Sequence, residues 1–160
     1  MKKMINFNTV FALLAFASVL YFSACKKDAS DSGGLTGVWS ASISKTGTVS
    51  QYVFKGDMTY EHTFTATDTM TKKSLGIMTK ETGKYQIKDK TLNLYDIVNY
   101  LNKNKSYGPA TDLERVDGLK TSNYTMELKD SRKTLSLEYI CGPAENCLPT
   151  GTAPSYFYKQ

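Results

Sequence analysis

Short segments in which apolar and polar side chains alternate constrain the fold of this chain more than any other feature of its sequence. In the segment from Met58 to Ala66, one face carries Tyr60, His62 and Phe64, and the other carries threonine and glutamate side chains. A period of two residues is that of a β-strand with one buried side and one solvent-facing side. Apolar residues nowhere follow a helical period over a stretch long enough for a helical bundle. The sequence therefore predicts an all-β protein.

Turn-forming residues separate the alternating segments and predict hairpins. Lys55-Gly56-Asp57 and Asp130-Ser131-Arg132-Lys133 are typical of tight hairpin connections. The predicted strands are a first one around Trp39–Ile43, followed by Val49–Lys55, Met58–Ala66, Leu75–Lys80, Gly83–Lys88, Thr91–Val98, Thr121–Lys129, Thr134–Ile140 and Ser155–Lys159. The stretch 99–118 lacks the alternation, so we interpret it as an insertion loop, with a short helical turn near 96–102.

Consecutive hairpins that each bury one face predict an antiparallel up-and-down β-barrel of about eight strands. Closing the sheet removes its exposed edges, and eight strands leave an interior that side chains or one small ligand can fill. An open β-sandwich is the alternative architecture.

The N-terminus has the features of an export signal. A basic start, Met1-Lys2-Lys3, precedes an apolar run from Val10 to Phe22 that is too short to span a bilayer, which takes roughly 20 residues. Ser23-Ala24-Cys25 then resembles the lipobox of bacterial lipoproteins, which implies cleavage before Cys25 and attachment of a lipid to its thiol. An ordinary secretory signal followed by an incidental cysteine is the alternative.

This resemblance divides the chain into a signal peptide (1–24), a lipidated flexible tether (25–34) and a barrel domain (35–160). Lys26 occupies the position where an Asp retains many lipoproteins at the inner membrane, so we expect an outer-membrane protein, periplasmic or surface-exposed. The mature part has 18 basic and 15 acidic residues. Without a basic cluster, this mild excess predicts no nucleic-acid partner.

Two cysteines, Cys141 and Cys147, remain if Cys25 carries the lipid. They flank a turn-forming Gly-Pro-Ala-Glu-Asn sequence in a compartment where disulfides persist, which predicts a structural disulfide. A redox or metal pair is the alternative. A zinc site built from three histidines is excluded, because His62 is the sole histidine.

Two motifs resemble small bacterial lipocalin-like lipoproteins. Gly37-Val38-Trp39 looks like the Gly-x-Trp signature of lipocalins, and the segment from Gly83 to Leu94 is similar to a hairpin in which a Gly-x-Tyr strand turns into a Leu-x-Leu strand. The resemblance spans about residues 35–140. It implies a barrel that holds a small hydrophobic or amphipathic ligand and a tryptophan that packs across the closed end, often against an arginine. The two arginines of the chain are Arg115, in the predicted insertion loop, and Arg132, in a predicted hairpin turn.

The candidate ligand-binding residues all lie on predicted inward faces. They are Trp39, Tyr60, His62, Phe64 and Tyr85. For Trp39 the competing interpretation is a core side chain that closes the barrel, and for His62 it is a hydrogen-bonded core histidine. His62 could instead orient a ligand in an apolar cavity.

Catalytic motifs are not evident, so we expect a non-enzymatic protein without a cofactor or a metal. Glu61 precedes His62, but neighbouring side chains of a strand point to opposite faces and do not form an acid–base pair. Two functions remain open. The barrel could bind a small ligand, or the protein could be a structural or interaction lipoprotein that contacts an envelope protein or glycan through its outer surface or the 99–118 loop.

Overall fold

The computed structural model describes residues 34–43, 47–142 and 154–160, which form nine strands and two single-turn 3₁₀ helices. The strands are β1 (Gly37–Ser42), β2 (Thr48–Phe54), β3 (Thr59–Thr67), β4 (Ser74–Lys88), β5 (Thr91–Asn102), β6 (Leu113–Val116), β7 (Thr121–Lys129), β8 (Thr134–Tyr139) and β9 (Ser155–Lys159). The 3₁₀ turns are Ala110–Asp112 and Asp130–Arg132. The predicted signal peptide, Cys25 and most of the tether lie outside the described residues.

Eight strand positions close into a ring, which confirms the predicted antiparallel up-and-down barrel. Each strand pairs with the next in the order β1-β2-β3-β4-β5-β7-β8-β9, and β9 pairs back with β1. All of these pairings are antiparallel. The ring leaves none of its eight positions without two neighbours, so the open sandwich is excluded for this part of the chain.

Strands β6 and β7 share the sixth position of the ring as two parts of one interrupted strand. Both run antiparallel to β5: β6 pairs with residues 99–102 of β5, and β7 pairs with residues 91–95. The prediction of an insertion loop over 99–118 was therefore wrong, because strands occupy both of its ends and only residues 103–112 connect them. The helical turn lies at 110–112, not near 96–102.

Strand β4 corrects a second prediction. Residues 75–80 and 83–88 do not form separate strands but belong to a single 15-residue strand that runs through Gly83. Its pairing with β5 shifts register between Thr82 and Lys84, where the ladder contains a bulge. The strand continues through this point because β3 pairs without interruption with residues 79–84 on its other side.

Large side chains fill the end of the barrel that holds the short hairpins, and we call this cluster the floor. It consists of Trp39, Phe54, Tyr60, Tyr85, Leu92, Leu94 and Leu135, each at most 2% exposed. Trp39 Nε1 donates a hydrogen bond to the backbone oxygen of Leu35 at 2.6 Å, which joins the chain entering the barrel to the first strand. The cation over the Trp39 ring is not an arginine but Lys159, whose Nζ lies 5.3 Å from the ring centroid.

Cys141 lies just after β8 and is disulfide-bonded. Cys147 lies outside the described residues, so the Cys141–Cys147 pairing stays a prediction. Within the described ranges, no helix has the length and apolar character that crossing a bilayer requires.

Candidate ligand-binding site

The half of the barrel away from the floor is hollow on the side of β1 and β9. A cavity of about 340 Å³, which we call the β1–β9 lobe, opens between the inward faces of β1, β2, β3, β7, β8 and β9. Its lining residues are Ala41, Ile43, Ser50, Tyr52, His62, Phe64, Tyr124, Leu137, Tyr139, Ser155 and Phe157. The walls are mainly aromatic and aliphatic, and hydroxyl and imidazole groups supply the polar atoms. This is the composition of a small-molecule pocket.

A second cavity, also of about 340 Å³, lies on the side of β4, β5 and β6, and we call it the β4–β6 lobe. Four aromatic residues line both lobes: Tyr52, His62, Phe64 and Tyr124. The residues that line the second lobe alone are Thr79, Lys80, Glu81, Asn99, Tyr100, Leu101, Val116, Asp117 and Gly118. The second lobe is therefore the more polar of the two and contains acidic side chains.

His62 is held in place at the boundary between the lobes. Its ring stacks on Tyr52 with centroids 3.8 Å apart and planes 4° from parallel, and Phe64 meets it edge-on at 4.9 Å. Nε2 of His62 and Oγ of Ser50 are 2.8 Å apart and share a hydrogen bond. Burial lowers the pKa of His62 to about 4, because the charged imidazolium would lose its hydration. At neutral pH His62 is therefore an uncharged wall of the site.

Glu81 places a carboxylate in the interior of the barrel. The Tyr60 hydroxyl donates a hydrogen bond to Oε1 of Glu81 at 2.5 Å. Burial raises the pKa of Glu81, and the hydrogen bond from Tyr60 partly opposes this rise. Burial together with the carboxylate raises the pKa of Tyr60 far above its ordinary value, so Tyr60 stays a hydrogen-bond donor.

The sequence-predicted site residues separate into two groups. His62 and Phe64 line both lobes. Trp39 and Tyr85 lie in the floor, each fully buried, and the Tyr85 hydroxyl donates to the backbone oxygen of Lys55 at 2.8 Å. Tyr60 connects the two groups: its ring belongs to the floor, and its hydroxyl donates a hydrogen bond to Glu81, which lines the β4–β6 lobe.

Sequence reasoning missed Glu81, whose carboxylate accepts a hydrogen bond from Tyr60 of the floor. The division of β4 into two strands left Glu81 in the gap between them. Along a continuous β4, every second residue before the inward Tyr85 also faces inward, which includes Gly83 and then Glu81. The alternation therefore predicts an inward Glu81 once β4 is treated as one strand.

Outside the cavity, Glu61 forms an ion pair with Lys80, with 2.6 Å between Oε2 and Nζ. This agrees with the expectation that Glu61 and His62 point to opposite faces. Among the residues that the structure describes, no three histidine, cysteine or acidic side chains are placed to hold a metal ion.

Comparison of the chain with protein-family models, with curated proteins and with solved structures gave no match. The resemblance to lipocalin-like lipoproteins therefore rests on the short motifs and on the barrel.

Proposed function

We propose that this protein is an outer-membrane-anchored lipoprotein whose lipocalin-like barrel binds a small hydrophobic or amphipathic ligand. The observation that carries the proposal is the contrast between the two halves of the barrel. One half is filled by the floor, and the other encloses lobes of about 340 Å³ each. Ligand pockets in proteins have volumes of roughly 300–1,000 Å³ and apolar walls with a few placed polar groups.

The walls suit an apolar or amphipathic molecule. Leu137, Phe157 and Ala41 offer aliphatic and aromatic surface in the β1–β9 lobe, where burying a ligand stabilises the complex by about 25 cal/mol per Å² of apolar surface. The hydrogen-bonded pair of Ser50 and His62 provides polar atoms at the inner wall. These groups would orient a ligand without the cost of desolvating a charge.

Lipid attachment at Cys25 is the part of the proposal that rests on the sequence alone. Acyl chains on this residue would hold the barrel at the membrane, since each buried methylene contributes about 0.8 kcal/mol. Mass spectrometry of the mature N-terminus tests it. A chain that begins at an acylated Cys25 supports the anchor, and an unmodified Cys25 or a cut elsewhere refutes it.

The alternative, a structural or interaction lipoprotein, drew on the length of the supposed 99–118 loop. Because β5 and β6 occupy both ends of this segment, the observation that favoured partner binding through a long 99–118 loop no longer holds. Contact with an envelope protein or glycan through the outer surface stays open as a proposal.

A ligand titration tests the binding proposal. All strands of the ring lie between Gly37 and Lys159, and the described residues from 34 to 160 belong to one compact unit, so residues 26–160 without lipid are a suitable sample. We expect N-phenyl-1-naphthylamine, a neutral apolar dye, to become fluorescent on binding in the barrel. Ala41→Phe should weaken its binding roughly tenfold or more, because the new ring would occupy the β1–β9 lobe.

Ser40→Phe is the matched control. Ser40 is the neighbour of Ala41 on β1 and accepts a hydrogen bond from Gln51 outside the cavity, at 3.0 Å. The same ring added there leaves the lobe unchanged, so dye binding should match that of the unaltered protein. Equal binding by both variants, or no saturable binding by the unaltered barrel, would refute the proposal.

A further inference from the structure

We infer that the ligand is an amphipathic organic cation, such as an amine or a quaternary ammonium compound with a hydrocarbon chain. Its positive head would lie beside Glu81 in the β4–β6 lobe, and its chain would extend into the β1–β9 lobe. This inference rests on the proposed function and specifies the chemistry of its ligand.

The charges that line the lobes favour a cation. Glu81 and Asp117 are acidic, and both line the β4–β6 lobe. Lys80 also lines this lobe, but its side chain points to the outer face of β4, opposite to that of its neighbour Glu81, and its ammonium pairs there with Glu61. His62 adds no positive charge at neutral pH. A cation in this lobe would therefore meet a negative potential, whereas an anion would meet repulsion.

The Glu81 carboxylate also has an unmet electrostatic need. Its described side-chain partner is the hydroxyl of Tyr60, which is neutral and supplies a single proton. A partly buried carboxylate without a countercharge is costly, and a positive ligand head would supply that countercharge. A partly buried carboxyl group without a countercharge is expected to have a raised pKa, and burial does raise the pKa of Glu81.

Aromatic faces next to the carboxylate provide a second attraction for a cation. Phe64 and Tyr124 line both lobes, so their rings border the path between the head and the chain of the ligand. The Tyr52 ring lines both lobes too, but its plane is stacked with His62 and Phe54. The face of an aromatic ring carries a partial negative charge that attracts a cation, and cages of aromatic residues recognise quaternary ammonium groups. Aromatic rings with one acid are therefore a suitable set for an organic cation.

The β1–β9 lobe is suited to the other end of the molecule. Ile43, Leu137 and Phe157 line it. Its lining residues include no aspartate, glutamate, lysine or arginine, and His62 among them is uncharged at neutral pH. Because the four shared aromatic residues border both lobes, one molecule with a charged end and an apolar end can contact both. A purely polar cation would leave this lobe unfilled, and a neutral lipid would leave Glu81 unpaired.

Three probes with the same hydrocarbon chain test the inference on residues 26–160. Decyltrimethylammonium, decanoate and decanol are compared, below their aggregation concentrations, as competitors of N-phenyl-1-naphthylamine. We expect the ammonium compound to displace the dye at a concentration roughly tenfold lower than decanoate does. Glu81→Gln should weaken binding of the ammonium compound by roughly tenfold to a hundredfold and leave decanol unchanged, because its amide still accepts the Tyr60 hydrogen bond.

Glu61→Gln is the control, since it removes an equal charge from the outer face of the adjacent strand. It should leave the order of the three probes unchanged. Decanoate or decanol binding as well as the ammonium compound would overturn the inference while the proposed function stands. The inference would also fail if Glu81→Gln kept the full preference for the cation. Absence of binding by the dye and all three probes would refute the proposed function itself. The comparison of probes on the unaltered protein decides the inference even where Glu81→Gln does not fold.

Discussion

Replacement of Gly83 by alanine should destabilise the barrel, because the space where a side chain would begin is already occupied. Gly83 lies on β4 directly opposite Tyr60 on β3. A Cβ atom at Gly83 would lie 2.9 Å from Cε1 of Tyr60 and 2.8 Å from the backbone oxygen of Tyr95. Both distances are shorter than ordinary contacts between carbon and these atoms. The backbone of Gly83 does not have a positive φ, so the expected penalty is steric and not conformational.

The neighbours of Gly83 have little freedom to move aside. The Tyr60 ring is 2% exposed, and its hydroxyl is tied to Glu81. The Tyr95 oxygen belongs to the backbone of β5, which pairs with both β4 and β7. Overpacking a filled site costs about 1–3 kcal/mol, and because two contacts are violated here we expect about 2 kcal/mol.

Gly56→Ala is the matched control, because a Cβ atom at Gly56 would meet no atom within 4 Å. This change should leave stability unaltered or raise it by up to about 1 kcal/mol through the unfolded state. Equilibrium unfolding in urea, followed by the fluorescence of the single tryptophan, compares the two variants. With a slope of about 2 kcal/mol per molar urea, Gly83→Ala should lower the midpoint by about 1 M. Equal midpoints for the two variants would refute the steric argument.

Two further predictions concern His62 and Trp39. Burial lowers the pKa of folded His62 to about 4 against 6.5 when unfolded, so the unfolded state binds the proton first. The free energy of unfolding should therefore fall by up to about 3 kcal/mol as the pH drops from about 6.5 to 4. Between pH 7 and pH 4.5 the urea midpoint of the unaltered protein should drop more than that of His62→Gln. Equal drops in the two proteins would contradict this. Trp39→Phe leaves the buried Leu35 oxygen without its hydrogen bond and should lower stability by about 2 kcal/mol. Lys159→Met removes the cation over the Trp39 ring and should lower stability by less than about 1 kcal/mol. Thermal unfolding followed by circular dichroism compares the two variants. Equal melting temperatures for these two variants would be evidence against the hydrogen bond as the main contribution.

Strands with an uninterrupted alternation between two clear turns could be predicted from the sequence. The predicted bounds of β7 and β9 agree with the structure, and those of β3 differ by one residue at each end. Each of these strands places large aromatic or aliphatic side chains on its inward face, such as Phe64, Met126 and Phe157, so the burial of one face and the turn chemistry indicate the same element. Closure of the ring followed from the same hairpins.

The prediction was wrong where the backbone changes which residues face inward. On β5 the buried positions are Leu92 and Leu94, followed by Ile97, so the inward side shifts by one residue. Asp96 lies at this shift and has a φ of 52°, which bends the strand as bulges do. A sequence pattern with a period of two loses its phase at such a point, and the remainder of β5 therefore resembled a loop.

One half of the barrel is hollow because the inward side chains of three neighbouring strands become smaller with distance from the floor. On β1 the large Trp39 is followed by Ala41, and on β9 Ser155 precedes Phe157 towards the floor. On β2 the same change runs from Phe54 back to Ser50. Each small residue alone is unremarkable in a strand, and the three are far apart in the sequence. Because β2, β1 and β9 are neighbours in the ring, their small residues line one wall, and a barrel of eight strands has too fixed a radius to collapse onto them. The cavity is thus a property of the strand order, which explains why the sequence indicated a barrel but left open whether it is filled.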